Sequence, residues 1–170
     1  MSFLTDDPEK QRRQVRRWQK TQEESRARYA LKMQQRKPVP IDSASKNAFP
    51  QAIHEADYWC RKYIRLRDRF CVTPSRECYG QLEASHLYSI STGIALRFDD
   101  RVIFAQCSFH NQSHDRDQRS LRKYVEQLYG PGFYERMKEE HFLYKKFTVK
   151  ELLGIAQGYK DKVMELQNQE

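Results

Sequence analysis

Three cysteines and one histidine fall into two short pairs. Cys71 and Cys78 are separated by six residues that include Thr73-Pro74-Ser75, and Cys107-Ser108-Phe109-His110 places a second thiol and an imidazole two residues apart. Thiolate and imidazole are the donors that Zn²⁺ takes in closed tetrahedral sites. A Thr-Pro-Ser turn can bring the first two thiols together. The set therefore predicts a structural Cys₃His zinc site built from Cys71, Cys78, Cys107 and His110, with His114 as the alternative to His110 for the fourth ligand. The segment from Phe70 to Asn111 is turn-rich and poor in large aliphatics. A structural zinc contributes about 10–16 kcal/mol in small peptides, enough to fix a region that cannot fix itself.

Such a segment needs elements on either side to hold it. Before it, Ile53, Ala56, Cys60, Tyr63 and Ile64 recur at three- and four-residue spacing, which predicts an amphipathic helix over 51–69 with Cys60 on its apolar face as a core residue. After it, Leu121, Tyr124, Val125 and Leu128 predict a helix that stops at Gly130-Pro131-Gly132, and a short helix follows over 133–141. Thr148 with Glu151 three residues on is a capping-box signal for a last helix carrying Leu152, Leu153, Ile155, Tyr159, Val163 and Leu166. At the other end, Asp7-Pro8-Glu9 reads as a helix start, and the helix runs to Arg36, where Lys37-Pro38-Val39-Pro40 breaks it. The expected organisation is a basic helical arm over 1–37, a Pro-rich linker over 38–50, a zinc-stapled core over 51–116 and a helical region over 117–170. The fold class is α+β, mainly helical.

Charge is concentrated in the arm. The chain has 31 basic and 23 acidic side chains, net +8, of which residues 1–40 hold 11 basic against 5 acidic. That excess predicts a polyanionic partner gripped through Arg12, Arg13, Arg16 and Arg17, with the salt-sensitive, sequence-independent character of phosphate contacts. No run approaches the roughly 18–20 apolar residues of a spanning helix. The first residues, MSFLTDDPEKQRRQ, lack the basic-then-apolar layout of a signal peptide. A soluble, cytoplasmic protein without a membrane partner is expected, and in a reducing compartment four cysteines do not form a disulfide framework. Neither a G-x₄-G-K-[ST] phosphate loop nor a G-x-S-x-G nucleophile turn is present.

Ala84-Ser85-His86-Leu87-Tyr88-Ser89 lies between the two pairs, and Asn111 follows His110 directly. A zinc-bound pair, a strand ending in histidine, and a second pair at a helix start followed by Asn resembles the layout of the HNH (ββα-metal, treble-clef) endonucleases. More closely, ASHLYS, LRFDDRVIFAQCSFHNQSH and the preceding YIRLRDRFC are similar in order to the lambdoid phage NinG/Rap recombination endonucleases, over roughly residues 50–169. The chain departs from that pattern in its longer first loop, in histidine as last zinc ligand, and in Val102 at the place of the family's middle asparagine. Ser85 stands where related nucleases often carry an aspartate, and the basic arm replaces a cysteine-rich segment.

The resemblance implies an HNH-like zinc core and a metal-dependent endodeoxyribonuclease acting on Holliday junctions and D-loops, encoded by a bacteriophage and working in the host cytoplasm. It implies His86 as general base, since an imidazole titrates near neutrality. Asn111 takes the family's position for a divalent-metal ligand, Mg²⁺ or Mn²⁺. His114, three residues on and on the same helix face, is a second metal ligand or a leaving-group contact. Glu83, Asp115 or water would complete a site that has Ser85 in place of a carboxylate. Arg97 is a candidate phosphate clamp, and two cuts on one junction imply a homodimer. The competing expectation is a non-catalytic zinc module that binds nucleic acid.

Overall fold

The computed structural model describes residues 46–114 and 117–168. The chain divides between Pro40 and Ile41, and all described residues belong to the second unit. The basic helix, Arg12, Arg13, Arg16, Arg17, most of the linker and Asp115 lie outside the described residues.

The unit is mainly helical with one small sheet. Helix α1 (Ala48–Asp68) leads to strands β1 (Leu82–His86) and β2 (Ile103–Cys107), followed by α2 (Ser108–His114), α3 (Arg119–Tyr129), α4 (Phe133–His141) and α5 (Val149–Asn168). Helix α1 starts three residues earlier than its apolar spacing predicts and takes Ala48, Phe49 and Pro50 from the expected linker. Proline is harmless there, because first-turn N–H groups have no partner inside the helix. Its buried stripe is Ala52, Ala56, Cys60 and Ile64, one residue per turn. The small side chains let α5 approach closely with Leu152, Ala156, Tyr159 and Val163, the most extensive helix contact of the unit. Burial pushes the Cys60 thiol up to about 12, so it is an inert core residue at neutral pH.

The last helix begins as expected. Thr148 Oγ1 accepts the Glu151 N–H at 3.2 Å while Glu151 Oε2 accepts the Thr148 N–H at 2.7 Å. That N–H, with Lys145 beside it, holds the Glu151 carboxyl down at about 2. Helix α3 buries Leu121 and Val125, but Leu128, expected on the same face, is exposed one residue before the helix stops at Gly130. A single apolar cluster joins α1, the sheet, α3, α4 and α5, running across the expected boundary at 116/117. The reason is that neither part has enough apolar surface to close a core alone.

The sheet is an antiparallel pair with Ser85 opposite Phe104 and His86 opposite Ile103. Every residue of β2 is buried. Its second edge is closed by the end of α1 in place of a third strand. Asp68 Oδ2 accepts the Ala105 N–H at 2.7 Å, Arg67 donates to the carbonyls of Ile103 at 2.8 Å and Asp100 at 2.7 Å, and the Val72 N–H reaches the Ala105 carbonyl at 2.9 Å. The exposed row of polar groups that an edge strand would present is thereby satisfied. Arg69 then takes a left-handed conformation, φ 60°, with its N–H on the Arg65 carbonyl, and turns the chain from α1 into the Cys71 segment.

Candidate functional site

The two cysteine pairs converge. The donor atoms of Cys71, Cys78, Cys107 and His110 all lie within 4.8 Å of one another. His110 Nδ1 is 3.5 Å from Cys71 Sγ, 3.4 Å from Cys78 Sγ and 3.1 Å from Cys107 Sγ. With Zn–S near 2.3 Å and Zn–N near 2.0–2.1 Å, a tetrahedron has N···S edges of roughly 3.5 Å. The spacing and the donor chemistry therefore fit a zinc ion. The Thr73-Pro74-Ser75 turn shapes the first half: the Cys78 N–H bonds the Ser75 carbonyl at 3.2 Å, and the Ser75 N–H points at Cys78 Sγ, 3.4 Å away. Strand β2 ends at Cys107 and α2 begins at the next residue, which puts His110 in the first turn. Its second nitrogen, Nε2, is 3.1 Å from Ser75 Oγ, an outer contact that leaves Nδ1 turned to the thiols.

The surroundings act oppositely on two of the thiols. Burial opposes ionisation of the Cys71 thiol, but hydrogen bonds from the Cys107 backbone and from Thr73 outweigh it and hold Cys71 below its usual value. At Cys78 the Ser75 N–H favours the thiolate, yet slight desolvation and the neighbouring Cys107 and Cys71 sulfurs raise it. Thiolates this close together would repel, and a divalent ion held among them would offset that repulsion.

His114, the alternative ligand, stands apart from this group. It is buried, and its Nε2 donates to the Leu87 carbonyl at 3.3 Å. Gly80 makes the close crossing possible at the mouth of the sheet: with φ at +86°, a Cβ on it would lie 2.7 Å from Ser108 Cβ.

A second set of polar groups adjoins the start of α2. Asn111 Nδ2 donates to Glu83 Oε2 at 2.7 Å, and Ser108 Oγ donates to Glu83 Oε1 at 2.6 Å. Glu83, on β1, thus offers a carboxylate beside the amide of Asn111, leaving the Asn111 carbonyl oxygen as a further acceptor of the pair. Ser85 is 1% exposed, and its hydroxyl has no hydrogen-bond partner among the described residues.

His86 ends β1 and is partly buried. Its Nε2 is 3.0 Å from the Arg97 carbonyl. A carbonyl can only accept, so Nε2 carries the hydrogen and Nδ1 carries the lone pair. Burial lowers the His86 pKa from its ordinary value of 6.5, so the ring is a neutral base at pH 7. The Arg97 guanidinium is occupied by Asp57, with Nη2–Oδ2 at 2.6 Å and Nε–Oδ1 at 3.2 Å. Val102 is buried, with its N–H on the Asp99 carbonyl and its own carbonyl accepting from Leu87. The turn before it is tied by Asp99 Oδ1, which takes the Arg101 N–H at 2.9 Å.

The chain pattern carries no signal for the Asp57 pairing, which spans forty residues. Ser75 and Ser108 are equally silent in sequence, where they read as ordinary turn and helix-start residues. No helix among the described residues is long and apolar enough to cross a membrane.

Neither a curated protein nor a solved structure matches the chain. A family model does, and it extends through the basic arm as well as the Cys/His segment and the helices, further than the short blocks alone reach. With residues 5–170 matched by the model described as Bacteriophage Lambda NinG protein, the chain belongs to the NinG family.

Proposed function

We propose that this chain is a structure-specific endodeoxyribonuclease of the HNH-like ββα type, which hydrolyses phosphodiesters in branched recombination intermediates such as Holliday junctions and D-loops. The observation that carries the reading is His86, a neutral imidazole whose Nε2–H is held by the Arg97 carbonyl so that Nδ1 keeps its lone pair. In this reading Nδ1 takes a proton from a water as its oxygen attacks phosphorus in line, and the bond from phosphorus to the 3′ oxygen breaks. Asn111 and Glu83 are the residues that would hold Mg²⁺ or Mn²⁺. Such an ion supplies charge neutralisation on the phosphoryl oxygens and stabilisation of the leaving oxygen. His114 is then a support for the Leu87 backbone beside the base.

The Cys₃His cluster has a structural role here. It ties the Cys71 turn to the junction of β2 and α2, and so fixes the helix that carries Asn111 against the strand that carries Glu83 and His86. Family membership supports a role in phage recombination. Branched DNA as partner, a homodimer with two active sites and action in the host cytoplasm complete the proposal, with Arg12, Arg13, Arg16 and Arg17 gripping phosphates. Arg97, paired with Asp57, contributes through its backbone in place of a phosphate clamp.

A zinc-stabilised DNA-binding module without catalysis is favoured by one observation, Ser85 buried without a carboxylate at that position. Cleavage of a synthetic four-way junction with Mg²⁺ separates the two. Wild type should cut, and His86→Ala should be slower by about 10²–10⁴-fold. Junction binding without any cutting by wild type selects the module, and equal cutting by both removes His86 as the base.

A further inference from the structure

We propose that Asp57 is a positioning residue for His86, acting through an ion pair that aims the Arg97 backbone carbonyl at the imidazole. The inference rests on the reading of His86 as general base for its consequence in catalysis, but its structural content can be tested without any cleavage.

The carbonyl that accepts the His86 Nε2–H belongs to the long connection between β1 and β2, which is built of turns. Strand carbonyls are aimed by a ladder of neighbours, whereas a turn carbonyl depends on what holds its own residue. Around Arg97, Leu96 and Phe98 are buried in the core. Apolar contact secures that stretch against the molecule but has no direction. Directional bonds come from four places. The Arg97 N–H reaches the Ile94 carbonyl at 3.1 Å, the Asp99 N–H reaches the Leu96 carbonyl at 3.1 Å, Tyr159 Oη donates to the Phe98 carbonyl at 2.6 Å, and the Arg97 guanidinium forms the two-pronged contact with Asp57.

Only the last of these acts through the side chain of the residue whose carbonyl is used. A guanidinium–carboxylate fork fixes orientation as well as distance. Its side chains are 18% and 21% exposed, so it is largely shielded from competing water. Asp57 is also well placed as a fixed point, since it follows Ala56 and precedes Cys60 on the helix that packs most extensively in the unit. The chain of contacts is continuous: α1 holds Asp57, Asp57 holds Arg97, and the Arg97 carbonyl holds the ring nitrogen that must not be the base.

Because the acceptor is a backbone atom, any residue at 97 retains it. Exchanging the two side chains therefore tests the ion pair while leaving the hydrogen bond itself available. The experiment measures solvent exchange of the His86 Nε2 proton by NMR in the full chain labelled at histidine, for wild type, Asp57→Asn, Arg97→Asp and the double variant Asp57→Arg/Arg97→Asp. Exchange should be about tenfold faster in each single variant, as for a lost charge-assisted contact, and return toward wild type in the double variant.

In junction cleavage, kcat should fall about tenfold to a hundredfold in the single variants with KM little changed, and recover in the exchange. Asp57→Asn is nearly isosteric and keeps the helix, so a failure of Arg97→Asp to fold does not end the test. Unchanged proton exchange in Asp57→Asn overturns the proposal, as does a double variant that remains as fast as the singles. If the exchange pattern holds while wild type cuts no junction, the positioning role stands and the nuclease reading falls.

Discussion

Replacing Cys78 by serine removes one zinc donor while leaving the core untouched, because Cys78 is the exposed member of the set, whereas Cys107 is buried. The Ser75 N–H that points at the sulfur has an oxygen to use in the variant. The loss is therefore almost wholly a loss of metal binding. Divided over four ligands, a zinc contribution of about 10–16 kcal/mol gives roughly 2.5–4 kcal/mol for one of them. At about 2–4 °C per kcal/mol for a chain of this length, the variant should melt roughly 5–16 °C below wild type in the presence of zinc. After chelation the two proteins should agree to within about 0.5 kcal/mol, as for a surface substitution away from packed features. Thermal unfolding followed by circular dichroism, with and without chelator, reads both differences, and metal analysis should count one zinc per wild-type chain. Cys60→Ser is the matched control. It perturbs the packed face of α1, so it should destabilise equally with and without chelator. A Cys78→Ser deficit that persists in chelator, or that never appears with zinc, refutes the zinc centre.

Four further outcomes follow from single contacts. Since burial lowers His86 from 6.5, the cleavage rate should rise with pH through a midpoint below 6.5, and a midpoint above it would exclude His86 as the titrating base. Burial lowers His141 as well, so the unfolded chain binds more protons than the folded one, and stability should fall as pH drops from about 6.5 through the lower folded value. In His141→Gln, urea unfolding at pH 7.5 and 5.5 should show a smaller difference than in wild type. Asp68→Ala removes the acceptor on the Ala105 N–H and should cost about 1–3 kcal/mol, with faster hydrogen exchange at Ala105 as its local sign. Gly80→Ala sets a Cβ against Ser108 and forces a positive φ on alanine, so denaturant unfolding should show a loss of about 2–4 kcal/mol.

Much of the local chemistry is legible in the chain itself. Thr148 and Glu151 announce the start of α5, because a capping box is made within four residues. The end of α3 at Gly130 and the span of α4 follow from equally short-range rules. The three thiols of the cluster can be named from sequence because few residue types bind zinc and because the Pro-containing turn limits where Cys78 can go. Pro50 misplaces the linker, since the same residue that ends a helix is tolerated in its first turn.

What sequence leaves open is every decision made between distant segments. His110 and His114 are equivalent donors on paper. Strand and helix geometry turns one toward the thiols and the other toward the Leu87 carbonyl. Arg97 reads as a free cation until α1 brings Asp57 to it, and Glu83 acquires its place beside Asn111 only when β1 lies next to α2. Residue type and spacing determine which donors, caps and apolar stripes a chain possesses, because those depend on covalent neighbours within a turn or two. Which of them meet is decided by the single core that closes α1, the sheet and α5 together, since partners far apart in the chain are selected only when the apolar surface between them is buried.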